Sequence, residues 1–238
     1  MNRILTLLIL TATAGDPAFA SEGVILLHGL CRTDQSMAKM ATRLEEEGFV
    51  VVNVDYPSRT AAVETLAKEA IGTALRDPKL AQTDKVHFVT HSMGGILVRQ
   101  YLKNATIDRL GRVVMLAPPN QGTELVNKLG DLVFFEMING PAGSQLGTGT
   151  NSVPKQLGSV TFELGVIAGD RSINMINSKI IEGPDDGKVS VESTKVPGMQ
   201  DHLVIHATHP FIMQNDAAIR ETIQFLRQGR FSSHDEEK

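Results

Sequence analysis

Short runs of apolar residues alternate along the chain with stretches in which apolar residues recur every three or four positions. The runs have the length of strands that are buried on both faces of a sheet, and they occupy residues 23–28, 49–55, 85–90 and 112–117. The stretches with helical spacing occupy residues 34–47, 63–75 and 94–103. Strands that alternate with helices predict a mostly parallel sheet with helices on both faces, the α/β class.

The regular alternation ends near residue 118. Residues 123–138 have helical spacing, whereas residues 139–158 are rich in Gly, Ser, Thr, Asn and Pro and predict a loop. Two further strands and a last helix are predicted at residues 162–169, 202–207 and 214–227. We therefore expect one α/β domain over residues 21–230, with an inserted segment at about 123–160.

The two chain ends differ from this domain. Residues 1–20 combine Arg3, an apolar run and Ala18-Phe19-Ala20, which is typical of a secretory signal peptide. A buried N-terminal strand or helix is the alternative. The polar residues 231–238 predict a disordered tail. Because of the predicted signal peptide, we expect a periplasmic or secreted protein.

The composition of the chain argues against several kinds of partner and site. The 238 residues include 23 Lys and Arg against 27 Asp and Glu, a net charge of −4, which makes a nucleic-acid partner unexpected. Cys31 is the only cysteine, so neither an intramolecular disulfide nor a cysteine-ligated zinc site can form. In an oxidising compartment such a thiol is normally buried or rare, and Cys31 lies between a predicted apolar strand and a predicted helix, which favours burial.

The main chemical signal is Thr90-His91-Ser92-Met93-Gly94-Gly95, between a predicted strand and a predicted helix. A serine on such a sharp turn is exposed at the carboxyl edge of a sheet, next to a helix N-terminus whose N–H groups can stabilise an oxyanion. A serine that only caps the helix is the alternative. The motif resembles the GxSxG nucleophile turn of the α/β-hydrolase superfamily, in its bacterial lipase and esterase branch, with Thr90 in place of the first glycine.

The resemblance extends to His28-Gly29-Leu30, after the first predicted strand. In such hydrolases this loop completes the oxyanion hole, which implies the N–H groups of Leu30 and Met93 as donors. His28 precedes the serine, whereas the superfamily runs Ser, Asp, His, so we interpret it as a structural residue of the loop. Residues 55–59 also resemble bacterial lipases, and we predict only a turn there.

A serine nucleophile requires an imidazole base, which in turn requires a carboxylate. Asp170, Asp185 and Asp186 are the candidates for the carboxylate. Asp186-Gly187-Lys188-Val189 resembles the Asp-x-x-Val form of the acid loop in this superfamily, which favours Asp186.

Three histidines near the last predicted strand are candidates for the base. His202 and His206 fall within the strand with side chains on one face, whereas His209 follows the strand, where the base belongs. His209 is therefore favoured. His87 and His91, on the strand and turn of the serine, are less suited to the role.

These residues predict a serine hydrolase that cleaves carboxylic esters with acyl or lipid-like substrates through an acyl-enzyme on Ser92, without metal or cofactor. Residues 123–138 lie where many lipases insert a lid, so they could cover an acyl pocket or contact a membrane surface transiently; a core helix is the alternative. An acyltransferase would use the same residues. A catalytically inactive binding protein is the rival from another class.

Overall fold

The computed structural model describes residues 21–129 and 133–232. Its six strands are β1 Glu22–Leu27, β2 Val50–Val54, β3 Lys85–His91, β4 Leu110–Leu116, β5 Leu164–Gly169 and β6 Asp201–Ile205. The helices are α1 Ala38–Glu46, α2 Val63–Ala74, α3 Met93–Asn104, α4 Glu124–Leu129, α5 Val133–Ser144, α6 Val153–Gln156, α7 Met175–Ser178, α8 Val191–Thr194 and α9 Asp216–Gln228.

The strands form one sheet in the order β2-β1-β3-β4-β5-β6, and every neighbouring pair is parallel. Parallel strands bring all their carboxyl ends to the same edge of a sheet, and ligands bind at that edge in open α/β folds. The segments that follow β1, β3, β5 and β6 therefore start close together, although they are far apart along the chain.

Each face of the sheet carries its own apolar core. Ile25 and Leu27 of β1 face a cluster that includes residues of α2 and α3, whereas Val24 and Leu26 face a cluster with residues of α1 and α9. This alternation follows from the two-residue period of a strand. The sheet is thus covered on both faces, which confirms the predicted fold class.

The largest difference from the sequence prediction lies in residues 139–158, which we expected to form a loop. Helix α5 runs into this region up to Ser144, and α6 is a further turn of helix. Gly140 interrupts α5 with a φ of 66°, and Pro141 then begins its second part. Proline suits the first turn of a helix, so a Gly-Pro pair that looks like a loop in sequence joins two helical pieces.

Three predictions fall outside the described residues in whole or in part. The signal peptide at 1–20 and most of the tail at 231–238 lie there, as do residues 130–132 of the expected lid helix. The domain bounds and the export of the protein stay predictions. In the part of the chain that the structure describes, no helix combines the length and apolar character required to span a membrane.

Candidate active site

Ser92 lies on the turn between β3 and α3 with a φ of 52° and a ψ of −122°. A left-handed conformation costs a non-glycine residue about 1–3 kcal/mol, so the surrounding structure must maintain it. The N–H of Ser92 donates to the carbonyl of Leu116 on the neighbouring strand at 2.8 Å. A Cβ on Gly94 would lie 2.6 Å from the carbonyl oxygen of Leu27, so only glycine lets α3 pass this close to β1.

The structure brings Ser92, His209 and Asp186 together in a series of hydrogen bonds. His209 Nε2 lies 3.0 Å from Ser92 Oγ, and His209 Nδ1 lies 2.7 Å from Asp186 Oδ2. The carboxylate can only accept, so Nδ1 carries the proton and Nε2 is left to accept from the serine hydroxyl. Ser92, His209 and Asp186 are all buried, with at most 9% of their surface exposed.

The loop that carries Asp186 holds its carboxylate in place. Asp186 Oδ1 accepts the N–H groups of Lys188 and Val189, both at 2.9 Å, which leaves Oδ2 to His209. The N–H of His209 also donates to the carbonyl of Asp186 at 2.9 Å. The acid and the base are therefore joined through main chain as well as side chain.

The alternative acids have other partners. Asp170 pairs with His206 at 3.0 Å on an exposed surface. Asp185 accepts the N–H of Gly187 at 2.7 Å and the hydroxyl of Ser178 at 3.0 Å, so it braces the loop next to Asp186.

The remaining histidines also have other partners. His202 lies 2.9 Å from Thr194 Oγ1. The His28 ring stacks on Tyr56 with centroids 4.1 Å apart, and its Nδ1 lies 2.8 Å from the carbonyl of Gly29. Burial lowers the pKa of His28, so the ring is neutral inside its loop.

Residues 55–59, for which only a turn was predicted, brace the loop after β1. Tyr56 donates its hydroxyl to the carbonyl of His28 at 2.6 Å, and Ser58 Oγ accepts the N–H of Cys31 at 3.1 Å. Cys31 has a φ of 58° and is exposed, so the expectation of a buried thiol is wrong: its turn position directs it outward.

Leu30 and Met93, the expected oxyanion donors, lie on the two turns that meet beside Ser92. Leu30 lines the cavity at the serine. Met93 is the first residue of α3, so its N–H belongs to the first helical turn, whose donors have no carbonyl partner within the helix. The two turns approach closely at Gly29, where a Cβ would lie 3.1 Å from Ser92 Cβ and 2.8 Å from His91 Nδ1.

His91 supports the base. Its Nε2 donates to the carbonyl of His209 at 3.0 Å, and the two rings lie 4.8 Å apart. Burial, followed by the charges of His209, Arg32 and Lys188, holds the pKa of His91 well below its usual value. His91 therefore stays neutral next to His209.

A cavity of about 200 Å³ opens at Ser92 and His209. Its apolar lining comes from the loop after β1, from the segment after β4 and from the Asp186 loop, and consists of Leu30, Pro119, Leu125, Val126, Leu146 and Val189. Part of the expected lid thus lines the cavity, while Leu125 and Leu146 are themselves buried. No group of His, Cys, Asp and Glu among the described residues is arranged to hold a metal ion.

Several residues at the site were not predicted from the sequence. Tyr56 and Ser58 brace the loop after β1, and Arg32 and Lys188 line the cavity. A usable signal existed for residues 55–59, because they follow a predicted strand and so start at the same edge of the sheet as the other site loops.

A parallel sheet with a serine on the turn between β3 and α3, and a histidine and an aspartate hydrogen-bonded to it in series, defines the α/β-hydrolase class. The sequence profile of the Alpha/beta hydrolase family matches residues 24–173. The chain therefore belongs to this family. A comparison with curated protein sequences found no match.

Solved structures with the same fold include a lipase and two esterases. The mature form of Bacillus licheniformis lipase BlEst2 has a TM-score of 0.71 at 18% identity, over 89% of this chain and 94% of that one. The metagenomic carboxyl esterase MGS0156 has a TM-score of 0.66 at 19% identity, over 84% and 69% of the two chains. A thermophilic esterase from Thermogutta terrifontis has a TM-score of 0.59 at 17% identity, over 88% and 91%.

Proposed function

We propose that this protein hydrolyses carboxylic esters through an acyl-enzyme formed on Ser92. The observation that carries the proposal is the series of hydrogen bonds from Ser92 Oγ to His209 Nε2, 3.0 Å, and from His209 Nδ1 to Asp186 Oδ2, 2.7 Å. A serine hydroxyl is a weak nucleophile at neutral pH, and an imidazole within this distance can accept its proton as it attacks.

In this mechanism Ser92 Oγ attacks the ester carbonyl carbon while its proton passes to His209 Nε2. Asp186 keeps His209 in the tautomer that accepts this proton and stabilises the imidazolium. The imidazolium then protonates the departing alcohol, and the acyl group stays on Ser92. Water repeats the sequence with His209 as base, which releases the acid and restores the serine.

The tetrahedral intermediate carries a negative charge on the former carbonyl oxygen. The proposed donors to this oxygen are the N–H groups of Leu30 and Met93, and each donor of this kind is worth about 10²–10³ in rate. The contacts of Tyr56 and Ser58 with the loop after β1 support a rigid position for the first of them.

The cavity supports an acyl or lipid-like substrate. Six apolar side chains form part of its lining, and burying a CH₂ group of the substrate against them contributes about 0.8 kcal/mol. The lipase and esterases with the same fold are in keeping with ester hydrolysis here.

An exposed apolar group beside the cavity supports the proposed transient contact with a lipid surface. Ile173, Met175 and Ile176 are 63%, 78% and 76% exposed, and they directly precede Asn177, which lines the cavity. Exposed clusters of this kind mark surfaces that bind a partner or a membrane.

Labelling with a fluorophosphonate, together with turnover of 4-nitrophenyl butanoate, tests the proposal. We expect the wild type to be labelled on Ser92, and Ser92→Ala to be unlabelled with kcat reduced by about 10⁴-fold or more. Ser36→Ala is the control, since that hydroxyl donates to the carbonyl of Thr33 and lies outside the cavity. A wild type that is neither labelled nor active, where a reference esterase reacts, would disprove ester hydrolysis.

A further inference from the structure

Two cationic side chains line the cavity at Ser92 together with its apolar residues. Arg32 follows the loop after β1, and Lys188 follows Asp186 in the acid loop. Among the described residues that line this cavity, none is an aspartate or a glutamate. The local excess of positive charge is opposite in sign to the net charge of −4 of the whole chain.

Neither cation is neutralised by the described part of the protein. Arg112 and Arg227 form ion pairs with Glu163 at 2.6 Å and Glu22 at 3.0 Å, whereas Arg32 and Lys188 form none with a described carboxylate. The guanidinium of Arg32 makes one long contact, 3.5 Å, to the carbonyl of Pro210. Donors of both side chains are thus available to a ligand.

The backbone beneath Lys188 is held in place, although its side chain is exposed. Its N–H donates to Asp186 Oδ1 at 2.9 Å, and its carbonyl accepts the hydroxyl of Thr123 at 2.7 Å. The Lys188 side chain therefore starts from a fixed backbone position at the cavity, two residues from Asp186.

The charges of Arg32 and Lys188 both act on His91, which lines the cavity. Arg32 and Lys188 are among the groups that lower the pKa of the buried His91, after burial itself and His209. His91 stays neutral and also lines the cavity. An anion in the cavity would therefore meet two cations and no described acidic side chain.

We propose that the site prefers esters that carry a second, anionic group, a carboxylate or a phosphate, and that Arg32 and Lys188 bind this group. The inference rests on the proposed ester hydrolysis. The apolar residues would hold the hydrocarbon part of the substrate. Arg32 and Lys188 would bind its charge with charge-assisted hydrogen bonds, which are stronger than neutral ones.

Two matched pairs of water-soluble substrates test this preference. The first pair carries the charge on the acyl half: the 4-nitrophenyl monoester of adipic acid against 4-nitrophenyl hexanoate. The second carries it on the alcohol half: 1-butanoylglycerol 3-phosphate against 1-butanoylglycerol. We expect the charged member of at least one pair to have a kcat/KM about tenfold higher at low salt, and 0.5 M NaCl to reduce this ratio.

Variants assign the effect to the two cations. The ratio of kcat/KM, charged over neutral, should fall about tenfold in Arg32→Gln and about threefold in Lys188→Gln, whose side chain is more exposed. Lys188→Glu should reduce it further. Lys68→Gln, an exposed lysine on α2 outside the cavity, removes the same charge and should leave the ratio unchanged.

The outcomes separate this inference from the proposed function. If neutral esters are hydrolysed but both ratios are near one, or if both ratios survive in Arg32→Gln and Lys188→Gln, the anion preference is wrong and ester hydrolysis stands. If no ester is hydrolysed and no fluorophosphonate label is found, both proposals are wrong.

Discussion

At the scale of single residues, the hydrogen-bond partners of each carboxylate distinguish the three aspartates that the sequence offers as candidates for the acid. Asp186 is 1% exposed and has two N–H donors on one oxygen and His209 on the other. Asp185 bonds its own loop, and Asp170 bonds His206 at the surface. Only Asp186 is therefore in a position to orient His209.

Replacing Asp186 with asparagine keeps the size of the side chain but removes its charge. We expect Asp186→Asn to lower kcat for 4-nitrophenyl butanoate by about 10⁴-fold, because His209 would lose both the partner that selects its tautomer and the charge that stabilises its imidazolium. Asp170→Asn is the matched control and should keep kcat within about twofold of wild type. Similar losses in both variants would contradict this role for Asp186.

At the scale of elements, Arg99 attaches the segment that lines the cavity to helix α3. Its guanidinium is buried and donates to Asn120 O and Oδ1 at 2.9 and 3.1 Å, to Pro154 O at 3.2 Å and to Gly158 O at 2.7 Å. Burial lowers the pKa of Arg99 to about 10, so it is still charged at neutral pH. The segment after β4 is thus attached to α3 through the charged guanidinium of Arg99, which carbonyl and amide oxygens bind.

Removing this charge should weaken the attachment. We expect Arg99→Met to lower the free energy of unfolding by about 3–5 kcal/mol, since several buried oxygens would lose their donor. Urea titration measures the loss.

Lys103→Gln is the control on the same helix. Its amine bonds Gln156 O at the exposed surface, so the substitution should cost only about 0.5 kcal/mol. Equal losses in Arg99→Met and Lys103→Gln would mean that burial of the charge does not matter.

At the scale of the whole molecule, burial lowers the pKa of several histidines, and three of these are almost completely buried. His28, His87 and His91 are at most 1% exposed, and burial is the largest cause that lowers the pKa of each. Each of the three therefore binds its proton at a lower pH in the native state than in the unfolded chain. Stability must therefore depend on pH.

The sign follows from proton binding. Below about pH 6.5 the unfolded chain binds more protons at these positions than the native protein, so the free energy of unfolding should fall as pH falls, by at most about 1.4 kcal/mol per pH unit for each histidine. Urea titrations at about pH 7.5, 6.0 and 5.5 measure the slope. His91→Phe should reduce the slope of the free energy of unfolding against pH, because the contribution of one histidine is removed. A free energy of unfolding that does not change with pH in the wild type would contradict the expectation.

Much of the fold could be predicted because its signals are local. Apolar runs and helical periodicity located all six strands and the long helices to within a few residues, and both patterns depend only on neighbouring positions. The turn at Ser92 was also predicted, because its strand, serine and helix are contiguous in sequence. The helical structure within residues 139–158 was not predicted, because a Gly-Pro pair inside a helical segment has the composition of a loop.

The sequence by itself determined the α/β class, the position of Ser92 and, through the order of residues in the resembled superfamily, the choice of Asp186 and His209 for test. Only the tertiary structure decided that Asp186 rather than Asp170 contacts His209, and that Arg32 and Lys188 line one cavity. These contacts join residues far apart in the chain. No local pattern encodes them, because they arise when a parallel sheet brings the carboxyl ends of its strands to one edge.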